Sequence, residues 1–102
     1  MGKVSKKVAI IGAGITGLSS AYFIKKQDPS IEVTIFEASN RVGGKIQTYR
    51  SDGYTIELGP ESYLGRKTIM TDVAKDIGLE NDLITNTTGQ SYIFAKNKLY
   101  PI

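Results

Sequence analysis

Gly12-Ala13-Gly14-Ile15-Thr16-Gly17 constrains this 102-residue chain more than any other stretch. Before it stands Val8-Ala9-Ile10-Ile11, a β-branched run that predicts a buried strand. From Ile15 to Gln27 the apolar spacing turns helical, with Leu18, Ala21, Tyr22 and Ile24 marking one face. Asp28-Pro29-Ser30 stops that helix. Ile31 to Glu37 alternates as a second strand, with Ile31, Val33 and Ile35 on one side and Phe36 on the other. Strand, glycine turn, helix and strand together make a βαβ unit of about 30 residues.

Each glycine of the turn has a physical reason. Gly12 permits the tight strand-to-helix reversal. Gly14 has no Cβ, so a pyrophosphate can approach the backbone, and Gly17 lets the helix pack closely on the sheet. The helix N-terminus offers free N–H groups and about half a positive charge to phosphates. Glu37 ends the second strand, where a carboxylate accepts hydrogen bonds from both hydroxyls of a ribose. Its charge repels a 2′-phosphate, so NADP is the least favoured dinucleotide. A glycine turn that only packed a helix on a sheet would not need Glu37.

The composition closes off other chemistries. The chain holds no cysteine and no histidine. That removes disulfides, thiol nucleophiles, Cys/His zinc sites and every triad that needs histidine. No apolar run approaches the roughly 18 residues of a membrane-spanning helix, and Lys3, Lys6 and Lys7 lead into too short an apolar stretch for a signal peptide. The net charge is +3, with the excess of Lys and Arg in the first half. The basic residues stand singly or in pairs, which argues against nucleic acid and suits a small anionic ligand.

Beyond Glu37 comes Arg41-Val42-Gly43-Gly44-Lys45. Two adjacent glycines allow another close backbone approach, with Arg41 and Lys45 beside it. An ordinary glycine-containing loop with solvated charges is the plainer reading. Farther on, 46–50 and 54–58 are strand-like and joined by Ser51-Asp52-Gly53, a strong hairpin pattern. The strand near 54–58 is expected to join 8–11 and 31–37 in one sheet. Thr68 to Ile77 is helical, with Ile69, Val73 and Ile77 four apart and Gly78 at its stop. Ser91 to Ala95 and Leu99 onward are strands around Lys96-Asn97-Lys98. The chain stops inside that last strand, as a truncated one would.

Taken together, Gly12–Gly17, Glu37-Ala38 and Arg41–Lys45 resemble the FAD fingerprint of flavoproteins with a glycine doublet. That superfamily includes amine oxidases, phytoene desaturases and porphyrinogen oxidases. Asp52-Gly53-Tyr54 followed by Glu57-Leu58-Gly59-Pro60-Glu61-Ser62-Tyr63-Leu64 is similar to the porphyrinogen oxidases. Thr88-Gly89-Gln90-Ser91-Tyr92 resembles their Gram-positive branch. Leu58 departs from the pattern, since relatives often carry Arg there. The resemblance covers nearly the whole chain but about the first quarter of such an enzyme.

The resemblance implies an α/β, incomplete three-layer Rossmann-like FAD/NAD(P)-binding fold. Residues 1–65 would be the first segment of the FAD-binding domain and 66–102 the start of an excursion toward a substrate domain. Gly12, Ala13, Gly14, Ile15, Thr16 and Gly17 would meet the FAD pyrophosphate, and Glu37 and Ala38 the adenine ribose. Arg41, Gly43, Gly44 and Lys45 would lie along the cofactor, and Gly59, Pro60, Glu61 and Ser62 near its flavin end. The implied activity is oxidation of coproporphyrinogen III, or protoporphyrinogen IX, to the porphyrin in heme biosynthesis. O2 would be the acceptor and hydrogen peroxide the by-product.

Such enzymes are soluble and cytoplasmic, and this chain alone would be inactive and prone to self-association. No residue is a credible catalytic acid or base. Glu57 with Glu61, and Asp72 with Asp76, are expected to be solvated, and Tyr49, Tyr54, Tyr63 and Tyr92 to pack. The competing readings are another glycine-doublet flavoprotein, of amine oxidase or desaturase type, and a non-catalytic dinucleotide-binding module.

Overall fold

The computed structural model describes residues 6–87 and 89–102. Residues 3–5 of the short polar entry that the sequence suggests at 3–7, and Thr88 of the Thr88–Tyr92 segment, lie outside the described residues. The chain divides into two units, 1–62 and 63–102.

In the first unit, β1 (Lys7–Ile11) leads through the glycine turn into α1 (Ile15–Gln27) and then β2 (Glu32–Phe36). β1 and β2 pair in parallel, from Lys7 opposite Glu32 to Ile11 opposite Phe36. The pairing continues at both ends, where Glu32 N–H donates to Lys6 O (2.9 Å) and Gly12 N–H to Phe36 O (2.7 Å). α1 packs on both strands. Val8, Ile10, Val33 and Ile35 are half-buried, while the alternate residues stay exposed.

The expectation of a buried strand at 8–11 is therefore corrected. One helix covers one face, and a parallel sheet needs both faces covered to bury its strands. Ile11 remains 83% exposed and Phe36 55%.

Local chemistry fixes the end of α1. Lys25 and Lys26 occupy its last turn, where cations complement the helix dipole. Asp28 N–H closes on Ile24 O at 2.9 Å. The Lys25 ammonium bridges Pro29 O (2.7 Å) and Ile31 O (2.9 Å), fastening the helix to the start of β2. The Ser30 hydroxyl and amide both donate to Asp28 Oδ1, and they hold its carboxyl below the usual range.

The strand expected near 54–58 does not join the parallel pair. β4 (Tyr54–Glu57) pairs only with β3 (Thr48–Ser51), antiparallel, in a sheet of its own. Asp52 and Gly53 both take positive φ, 51° and 80°, as a two-residue hairpin turn of type I′ requires. That local closure commits β4 to its sequence neighbour.

The second unit holds α2 (Thr68–Asp76), a 3₁₀ turn (Glu80–Asp82), β5 (Tyr92–Ala95) and β6 (Lys98–Pro101). α2 ends in a Schellman arrangement: Gly78 N–H donates to Lys75 O (3.1 Å) and Leu79 N–H to Ala74 O (2.8 Å). Gly78 carries the left-handed conformation at φ 85°. β5 and β6 pair antiparallel. Lys96 and Asn97 alone make the turn, at φ 48° and 58°, so Lys98 belongs to the strand rather than to the turn.

Ala13 and Ala74 are the buried apolar residues among those described. The four tyrosines expected to pack are exposed by 41–71%. Tyr49, Tyr54 and Tyr92 stand on two-stranded hairpins, which offer no second layer to pack against.

Candidate functional site

The glycine turn is held by contacts between main chains. Gly12 adopts φ 97°, which a side chain would resist. A Cβ at Gly17 would overlap the Gly12 carbonyl oxygen and come within 3.3 Å of Ile10 Cγ2. Glycine at 17 is thus what lets α1 begin directly against β1. Gly14 caps the helix in extended conformation, with no side-chain cap hydrogen bond and no acidic residue in the first turn. Leu18 N–H reaches Gly14 O at 3.0 Å. The amides of Ile15, Thr16 and Gly17 precede it and have no acceptor within the helix. They form a donor set for an external anion.

Ala13, 2% exposed, is the hub of the site. Its N–H donates to Glu37 Oε1 at 2.9 Å, and its carbonyl accepts the Gly43 N–H at 2.7 Å. Glu37 Oε2 accepts the Ser39 N–H at 2.7 Å. These two amide donors, Ala13 first, pull the Glu37 carboxyl down from 4.5 to about 2, with the Arg41 charge a smaller contributor. Glu37 is ionised at neutral pH, and each oxygen keeps acceptor capacity for a further donor.

The glycine doublet folds onto the same turn. Gly14 and Gly43 form an isolated parallel bridge. A Cβ at Gly44, where φ is 59°, would lie 3.2 Å from Gly14 Cα. The close approach expected of the doublet is therefore made first of all to the fingerprint itself. Gly59 extends the assembly: a Cβ there would overlap the Lys45 carbonyl oxygen, and Leu58 N–H donates to Gln47 O at 2.8 Å.

Gly12 to Gly17, Glu37, Gly43 and Gly44 come together as one cradle, with Gly59 against its outer edge. Arg41 lies beside the doublet. Its guanidinium turns back onto its own loop, donating to Val42 O, Ile46 O, Gly44 O and Gln47 Oε1. Lys45 is exposed, and its ammonium has no hydrogen bond or ion pair among the described residues. Ala38, Pro60, Glu61 and Ser62 are exposed, and no hydrogen bond among the described residues ties them to the turn. Glu57 accepts from Thr48 Oγ1 (2.7 Å) across the hairpin.

Sequence reasoning missed Ser39 and Gln47. Ser39 Oγ donates to Arg41 O (2.9 Å) and accepts Arg41 N–H (3.3 Å), a local hydroxyl turn. A serine two residues after Glu37 and two before Arg41 was the available pattern. Among the described residues no helix is long and apolar enough to cross a membrane, and no three acidic side chains gather as a metal site.

Comparison with known proteins adds a second line. The pattern of the flavin containing amine oxidoreductase family matches residues 15–101. Over 99 residues, 97% of this chain, it is 84% identical to coproporphyrinogen III oxidase of Staphylococcus aureus, covering 21% of that protein. It is 50% identical to coproporphyrinogen III oxidase of Bacillus subtilis, over 95% of this chain and 22% of that protein. A crystal structure from Exiguobacterium sp. 255-15, provisionally assigned as a protoporphyrinogen oxidase, superposes with a TM-score of 0.85 at 47% identity. That match covers 98% of this chain and 22% of the other. The chain thus spans about a fifth of the length of the curated relatives it matches.

Proposed function

This chain belongs to the flavin containing amine oxidoreductase family, and from that premise we propose that it is the FAD-binding N-terminal part of a porphyrinogen oxidase. The enzyme converts coproporphyrinogen III, or protoporphyrinogen IX, to the porphyrin in heme biosynthesis, with O2 as acceptor. The choice of substrate rests on the names of the relatives. The cofactor reading rests on one observation: fingerprint and doublet fuse into a backbone cradle, beside the uncapped start of α1 and with Glu37 at its edge.

That cradle suits the group. The amides of Ile15, Thr16 and Gly17 are donors for a pyrophosphate, and Gly12 and Gly14 put no side chain in its way. Ionised Glu37 accepts from ribose hydroxyls, with Ala38 beside the adenosine. Lys45 supplies a positive charge along the phosphates. Gly59, Pro60, Glu61 and Ser62 lead the chain toward the flavin end. When bound, FAD supplies the oxidising chemistry, taking two electrons at a time and passing them to O2. The residues of this chain bind and orient it, and none acts as catalytic acid or base.

The same reading makes the fold the first part of a three-layer Rossmann-like domain over 1–65, with 66–102 leading to a substrate domain. It makes the enzyme cytoplasmic. The isolated chain is inactive, and its bare apolar face at Ile11 and Phe36 favours self-association.

The test is the full-length protein. Oxidised-flavin absorption bands, followed by porphyrin fluorescence on adding coproporphyrinogen III under air, are the expected results. Flavin bands with turnover of amines or carotenoid precursors instead would favour the other glycine-doublet enzymes. A folded, colourless protein that FAD cannot reconstitute would return the cradle to a nicotinamide-binding or non-catalytic module.

A further inference from the structure

We infer that Arg41 is a positioning residue, whose guanidinium shapes the glycine doublet so that Gly43 and Gly44 close against Ala13 and Gly14. The inference rests on the FAD reading above for its functional consequence, but its structural part stands apart from it.

Peptide planarity couples the two sides of the doublet. In a trans peptide, the carbonyl of one residue and the N–H of the next point in opposite directions. Arg41 Nη1 holds Val42 O at 3.3 Å, and Nη2 holds Gly44 O at 2.7 Å. Fixing Val42 O on the guanidinium side sends the Gly43 N–H the other way, where it meets Ala13 O at 2.7 Å. Fixing Gly44 O likewise turns the Lys45 N–H outward. Nη1 also reaches Ile46 O (3.5 Å) and Nη2 reaches Gln47 Oε1 (3.1 Å), so one planar group gathers acceptors on both sides of the doublet.

Gly43 and Gly44 need that hold. They take φ 113° and 59°, and the chain without side chains there is the most permissive in backbone freedom. A lysine cannot replace the fork. Its three donors radiate from one nitrogen, whereas the guanidinium spreads five across a rigid plane. This separates a positioning role from a simple charge contact, which lysine would keep.

The experiment uses the full-length protein with the variants R41K, R41Q, K45Q and Q47A. Amide hydrogen exchange is measured without cofactor, at Gly43 and at β1 residues Ala9 and Ile10, and FAD affinity is measured across a salt series. Positioning predicts that R41K and R41Q both speed Gly43 exchange by about tenfold, leaving β1 unchanged. FAD affinity falls in both by about tenfold, with the wild-type salt dependence retained. K45Q flattens that salt dependence and leaves Gly43 exchange alone.

Wild-type Gly43 exchange in R41Q overturns the inference. So does recovery of FAD affinity by R41K alone. If the Arg41 variants do not fold, Q47A removes a single acceptor from the fork, and Gly43 exchange unchanged there also overturns it. A wild-type protein that binds no FAD, while R41Q still loosens Gly43, would sink the cofactor reading and spare the positioning role.

Discussion

At Gly17, Gly44 and Gly59 of the first unit, an added side chain would run into the main chain of another segment. At Gly65, Gly78 and Gly89 of the second unit it would meet nothing within 4 Å. The same residue type thus does two kinds of work. At Gly17, Gly44 and Gly59 backbone approaches backbone, and the cradle coheres although Ala13 is its one buried apolar side chain, while Gly53 of the same unit turns a hairpin in open space. In the second unit glycine bends the chain, as Gly78 does at the end of α2, while large apolar side chains remain exposed. Order in the cradle therefore comes from close main-chain contacts, joined by the Glu37 carboxylate and the Arg41 guanidinium on main-chain partners. Order in the second unit depends on amphipathic surfaces and turns.

Substitutions can break this contrast. Gly17→Ala should have the largest effect, since its Cβ overlaps a carbonyl oxygen that the β1–α1 turn cannot move cheaply. We expect a loss of about 2–3 kcal/mol in denaturant unfolding of the full-length protein, together with loss of flavin absorbance after gel filtration. Gly65→Ala, with open space and no positive φ, should stay within about 0.5 kcal/mol of wild type. Equal losses in the two variants would end the distinction.

Glu37→Gln should weaken FAD about tenfold in a fluorescence titration, since a charge-assisted acceptor is replaced by a neutral one. The same residue gives a pH signature. A carboxyl lowered from 4.5 to about 2 stabilises the fold fully above 4.5 and loses that contribution as pH falls from 4.5 to about 2. Carbon-13 titration of the Glu37 carboxyl should show a midpoint near 2, with the Ala13 amide shift following it. A midpoint near 4.5 would mean the two amides do not hold the carboxylate.

Gly78→Ala should cost about 1 kcal/mol, the expense of a left-handed residue with no steric clash added. The smallest change is expected at the β5–β6 turn. Lys96→Asn places a residue tolerant of positive φ at 48° and should raise stability by less than about 1 kcal/mol. Thermal melts would read both, and a destabilising Lys96→Asn would show that the turn is held by something other than its backbone preference.

The sequence carried α1 to its residue bounds because both ends are local events: a glycine turn before Ile15, and Asp28-Pro29 after Gln27. The hairpins were equally legible, since Asp52-Gly53 and Lys96-Asn97 fix their own partners. The partnering of 54–58 was misjudged because strand alternation does not say which edge a strand joins. The half-covered state of β1 and β2 was missed for a related reason: a run such as Val8–Ile11 reads the same whether one face is covered or two. At the site, the glycines and Glu37 were visible as types in a spacing. The direction of the Arg41 side chain and the Ala13–Glu37 contact were not, because both end on main-chain atoms that every residue possesses.

The bond between Ala13 and Gly43 has a kinetic side. The halves of the cradle lie on either side of α1 and β2, so the cradle is closed by a loop whose entropy must be overcome before its contacts are gained. On a chain emerging from the ribosome, strand, helix and strand can form while the cradle is still open. The cradle is completed only after the doublet has left the exit tunnel. Closure of the cradle is therefore a late event in the maturation of this segment, and a chain released before residue 44 carries the fingerprint without the doublet.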